Sequence, residues 1–61
     1  MRLITRFELA QASDAQLSAL FASVSQGLAI TQAGSAARRN ALASLENIRR
    51  EQAVRGARPK L

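Results

Sequence analysis

The chain has 61 residues, a formal net charge of +5, and neither Cys nor His. A chain of this size forms one domain and buries only about 60% of the surface its unfolded form exposes. Without Cys or His it has no disulfide, and zinc, haem and iron–sulfur sites lack their usual ligands. No cofactor is therefore expected. Thirteen of its apolar residues are Ala and only Phe7 and Phe21 are aromatic, so the core is thin and oligomerisation is the remaining substitute for a covalent or metal staple. No secretory apolar region follows Met1, because Arg6 and Glu8 interrupt it, and no run approaches the roughly 20 apolar residues of a membrane span. A cytoplasmic setting without membrane contact is expected.

The first element signal is Thr5-Arg6-Phe7-Glu8, a capping box flanked by Ile4 and Leu9 as a hydrophobic staple, which predicts a short helix over about 6–11. The same grammar recurs at Ser13-Asp14-Ala15-Gln16, with Ala12 and Leu17 as the staple pair and Asp14 at the positive end of the helix dipole. A second helix is predicted over about 14–31. In it Leu17, Leu20, Phe21, Val24 and Leu28 share one face. Gly27 costs that helix about 1 kcal/mol relative to Ala, but Leu28 stays in register and the helix is expected to continue through it. Gln32-Ala33-Gly34-Ser35 reads as a connection, with Gly34 suited to a left-handed conformation and Ser35 to a cap.

A third helix is predicted over about 36–55, stopped by Gly56, with Pro59 preventing its resumption. Glu46 with Arg50 and Glu51 with Arg55 are i, i+4 pairs in the favourable order. At about 100° per residue, Ala37, Ala41, Leu45, Ile48 and Gln52 share the sector expected to be buried, with Leu42 at its margin. The fold class is all-α: an antiparallel helical hairpin with a short N-terminal helix. That helix and residues 1–4 close one open side or end of the hairpin. Residues 1–55 form one domain and 56–61 a flexible basic tail. Both Phe7 and Phe21 are expected in the interior.

Charge is unevenly placed. Residues 1–37 carry Arg2 and Arg6 against Glu8 and Asp14, whereas 38–61 carry seven basic residues against Glu46 and Glu51 and so hold the whole +5. On the third helix Arg38 and Arg49 flank Leu42 at the edge of the apolar sector. Their stems can cover apolar surface while the heads reach water, or they can join Leu42 as a mixed cationic and apolar anchor for a partner. Arg39, Arg50 and Arg55, with Arg58 and Lys60 in the tail, are either a solvated face or a set of phosphate contacts. Asn47, with Asn40, is a candidate base reader in that second case.

Enzyme chemistry fails on inventory: there is no His or Cys, no Lys before the tail, no Gly-rich phosphate loop, and no base to activate a Ser. Single-strand binding lacks exposed aromatic faces, and the link around Gln32–Ser35 is only a weak match to a helix-turn-helix. The run "ASLENIRRE" and the opening "MRLITRFELA" resemble short proteins of alphaproteobacterial genomes and their mobile elements. The resemblance covers most of the chain, brings no catalytic or binding residue, and implies a small regulatory accessory protein. The expected function is a non-enzymatic protein-binding regulatory or adaptor module with no small-molecule substrate. Its expected partners are a second copy and an acidic protein surface. The alternative is direct DNA or RNA binding through the same helix and tail.

Overall fold

Side-chain oxygens begin each helix. The computed structural model describes residues 2–57 and contains α1 (Arg6–Ala10), α2 (Asp14–Ala29) and α3 (Ala36–Ala57), with no strand among the described residues. Ahead of α1, Thr5 Oγ1 accepts from the Glu8 amide at 3.3 Å while the Glu8 carboxylate accepts from the Thr5 amide at 3.4 Å. Ahead of α2, Ser13 Oγ accepts from the Gln16 amide at 3.1 Å and Gln16 Oε1 accepts from the Ser13 amide at 2.7 Å. Both expected capping boxes are present. Ser35 caps α3 by accepting from the Arg38 amide at 3.1 Å, but Arg38 occupies the position where a Glu or Gln would answer it.

The hairpin α2–α3 is antiparallel and all-α as expected, with boundaries that shift by a few residues. Gly27 is passed without a break. α2 ends at Ala29 rather than near 31, because Thr31 Oγ1 donates to the Leu28 carbonyl at 2.8 Å and the Ile30 and Thr31 amides donate three residues back, tightening the last turn. Gly34 adopts a φ of 77°, the left-handed conformation that a side chain would disfavour. Gly56 does not stop α3. The helix runs through it to Ala57, and a Cβ placed there would meet nothing within 4 Å, so the residue is a propensity cost and not a steric terminator. Residues 56 and 57 of the expected tail thus belong to α3, and 58–61 lie outside the described residues.

α3 is the common support: α2 and α1 both pack on it. The buried apolar residues are Ile4, Leu9, Leu17, Val24, Ala41 and Ile48, with Ala12, Leu20, Phe21, Leu28 and Leu45 partly buried against them. Both staple pairs therefore contribute to the core. The result is a rod with principal extents of 44 × 16 × 16 Å and a radius of gyration of 12.3 Å, against about 10.5 Å for a globular chain of this length. Phe7 is a correction: it is 76% exposed. It lies two residues, about 200° of helix rotation, from Leu9, so a one-turn helix that buries Leu9 turns Phe7 outward.

The buried sector of α3 is also rotated from expectation. Ala41 and Ile48 are buried, but Ala37, Leu45 and Gln52 are only partly so, and the other two buried positions are Ser44 and Glu51. Both are polar and both are satisfied. Ser44 Oγ accepts from the Ile4 amide at 2.9 Å, and one turn further along Asn47 Nδ2 donates to the Ile4 carbonyl at 3.0 Å. The extended segment before α1 is thus held by both backbone groups of a single residue. At the other end Glu51 accepts from Arg55 Nε at 3.2 Å, while the Arg55 guanidinium also reaches Asp14 at 2.8 Å and the Leu9 carbonyl at 3.1 Å. One side chain of α3 thereby ties the end of α1 to the start of α2. Among the described residues no buried side-chain nitrogen or oxygen lacks a partner.

Three outcomes follow from these contacts. Ser13→Ala removes the acceptor at the start of α2 and should lower stability by about 1 kcal/mol, a shift of roughly 4–8 °C in the thermal midpoint of a domain this small. Ser44→Ala leaves the Ile4 amide without its acceptor in a buried position, at a cost of about 1–3 kcal/mol. Amide hydrogen exchange should then accelerate at Ile4 before it does at Leu17 or Val24, in the hairpin. The third outcome concerns pH. Hydrogen bonds from Arg2 and from the Thr5 amide hold the Glu8 carboxyl below its ordinary value of 4.5. A depressed folded-state pKa contributes stability above the unfolded value that is lost as pH falls through the folded one. Thermal melts of Glu8→Gln should therefore lie below the wild type near neutral pH and converge with it as the pH falls below 4.5 and the wild-type carboxyl protonates.

Candidate functional site

The two long sides of the α2–α3 hairpin have different fates. On one side Ile4, Leu9, Ala12 and Leu20 meet under the N-terminal segment, with Arg2 and Glu8 ion-paired at 2.8 Å above them. On the other side no described element covers the seam. There Phe21 from α2 and Leu42, Leu45, Glu46, Arg49, Arg50 and Ala53 from α3 line an open groove with an apolar floor and a basic rim.

Helix geometry explains this division. Arg38, Leu42, Leu45 and Arg49 recur at i, i+4, i+7 and i+11 and form one stripe along α3, whereas Ser44 and Asn47 lie on the flank that receives Ile4. On α2, Leu20 and Phe21 are about 100° apart, so the first falls under the N-terminal segment and the second on the open side. Leu42 is 48% exposed, and Phe21 and Leu45 are only half-buried. The three residues expected to act as an anchor, Arg38, Leu42 and Arg49, thus share the stripe beside the uncovered groove.

The residues expected to meet phosphates are more dispersed. Asn47 spends its amide on the Ile4 carbonyl, and Arg55 is committed to Asp14, Glu51 and Leu9, with its side chain only 19% exposed. The bond to Asp14, joined by that to Glu51 and outweighing partial burial, raises the Arg55 pKa above the ordinary arginine value. It is a structural cation. Arg50 pairs with Glu46 at 2.8 Å, as its spacing foretold, and Arg39 donates to the Gly34 carbonyl at 3.0 Å. Both remain on the exposed face. Arg58 and Lys60 lie outside the described residues.

Every carboxylate among the described residues faces an arginine: Glu8 faces Arg2, Glu46 faces Arg50, and Asp14 and Glu51 share Arg55. Among those residues, the side chains of Arg6, Arg38 and Arg49 make no ion pair or hydrogen bond. Two of the three stand on the stripe beside the open groove. The burial of Ser44, which receives the Ile4 amide, and of Glu51, which receives Arg55, lies outside the sector read from the sequence, because that sector was drawn through Leu45 and Gln52. The available signal was their i, i+7 spacing in phase with Ala41 and Ile48.

No group of three or more metal-ligating side chains and no helix long and apolar enough to cross a membrane occur among the described residues. No family model, curated protein or solved structure matches the chain.

Proposed function

We propose that the chain is a non-enzymatic protein-binding module, of the adaptor or regulatory kind, and that it binds through the open side of its helical hairpin. The observation that carries this reading is the coincidence of an apolar seam, Phe21, Leu42 and Leu45, with Arg38 and Arg49 on the same stripe, neither of which makes an ion pair among the described residues. Arg is enriched among the residues that dominate interface energetics, and apolar neighbours around it serve to exclude water from the contact. Nucleic-acid binding draws less support from the geometry. Of the α3 residues expected to meet a duplex, Asn47 and Arg55 are engaged inside the fold, and Arg50 is neutralised by Glu46. Self-association through the α2 stripe has less apolar surface to draw on, because Leu17 and Val24 are covered within one chain while Leu20, Phe21 and Leu28 are only partly buried.

The deciding experiment is a pull-down from native lysate, with and without nuclease, using the wild type, Arg38→Gln with Arg49→Gln, and Arg39→Gln with Arg50→Gln. Nuclease-resistant capture that is lost in the first double variant and retained in the second is the expected result, since exposed charge pairs contribute only about 0–1 kcal/mol. Capture abolished by nuclease, or weakened comparably in both variants with a steep salt dependence, would instead establish the nucleic-acid reading.

A further inference from the structure

The hairpin is a three-helix bundle with its third long position empty. Antiparallel helices joined by a short link bury their seam from both sides when a further helix packs alongside. Here the N-terminal segment and the five-residue α1 cover one side only. We infer that the groove between α2 and α3 receives an acidic amphipathic helix from another protein. Its apolar face would rest on Phe21, Leu42 and Leu45, and two of its carboxylates, about three turns apart, would meet Arg38 and Arg49. This inference rests on the protein-binding reading above and specifies the partner's chemistry.

Four observations select that occupant. The described residues include no strand, hence no sheet edge onto which an extended peptide could be added, and the open apolar seam between two helices has the shape that the helix-in-groove mode uses. The groove's rim carries Arg49 without a counter-ion, and its one carboxylate, Glu46, is already held by Arg50, so an incoming acid meets attraction and no competitor. Arg38 and Arg49 are eleven residues apart, about 16 Å along the helix axis, a span that an acid pair at the same spacing on a parallel or antiparallel helix would match. Finally, Arg38 is placed against local stability. It stands in the first turn of α3 where α1 and α2 carry Glu8 and Gln16, and a cation at that end opposes the helix dipole. Positions that break the local grammar of a chain are where function is expected to intrude.

A second copy of this chain fits poorly. Its own α3 would bring a further set of arginines to a rim that has no free carboxylate to receive them.

The test uses the full chain and two designed peptides of roughly five helical turns, each with leucines along one face. One carries two glutamates eleven positions apart beside that face, and the other carries lysines in their place. Binding is followed by fluorescence anisotropy. The glutamate peptide should bind the wild type at least about tenfold more tightly than the lysine peptide does, and Arg38→Glu with Arg49→Glu should reverse the order. In that variant Arg38→Glu completes a capping box with Ser35, which offsets the like-charge pair that Arg49→Glu forms with Glu46 three residues earlier, and a thermal melt checks that the fold is kept. Leu42→Asp should abolish binding of either peptide.

Equal binding of the two peptides, or a preference that the charge-reversed variant leaves unchanged, would overturn the inference. So would sedimentation showing a wild-type dimer that Leu42→Asp converts to a monomer, since the occupant would then be a second copy. Failure of both peptides alongside persistent nuclease-resistant capture in the pull-down would reject the acidic helix while leaving the protein-binding reading intact.

Discussion

The fold depends on how one extended residue is held. Ile4 has its amide taken by Ser44 and its carbonyl by Asn47, both on α3, while its side chain enters the core. In an apolar setting each of those backbone groups would be costly without a partner, so two side chains one turn apart on α3 specify the path of the segment that leads into α1. That path determines which side of the hairpin is covered. By exclusion it also determines which side is left open.

The Arg55 cluster secures the same arrangement from the other end. Its guanidinium joins Leu9, Asp14 and Glu51, so the close of α1, the start of α2 and the last turns of α3 are tied at one point. A partly buried arginine with two carboxylates and a carbonyl has satisfied donors, the condition under which a buried charge is tolerated. With six buried apolar residues among those described, five of them larger than Ala, such polar fastenings supply definition that a thin core cannot. They also consume charges that would otherwise have counted as binding groups.

Electrostatic pairing within the fold sharpens the candidate site by subtraction. The +5 of the sequence looks like a diffuse basic helix, yet among the described residues the carboxylates neutralise or engage Arg2, Arg50 and Arg55. What remains near an apolar surface is Arg38 and Arg49. Sequence reasoning placed these two beside Leu42 at the margin of the apolar sector, and the structure sets all three on the stripe beside a groove that also includes Phe21. Asn47, by contrast, stood among the candidate base readers and is an internal fastener, a role that depends on a segment more than 40 residues away and has no local signature.

What the sequence determined by itself was everything local: three helices, two capping boxes, the staples of Ile4 with Leu9 and Ala12 with Leu17, the turn at Gly34, and the ion pairs four residues apart. Each is an interaction between residues close in the chain, and its spacing is therefore written in the order of the letters. Only the tertiary structure decided the buried rank of Ser44 and Glu51, the outward turn of Phe7, the continuation of α3 through Gly56 and the choice of covered side. The burial of Ser44 and the choice of covered side turn on partners far apart in sequence, whereas at Gly56 no neighbour is involved and one glycine simply costs the helix too little to end it. A polar side chain reads as surface until its partner is in place, and a hairpin presents two equivalent sides until an extended segment is hydrogen-bonded to one of them.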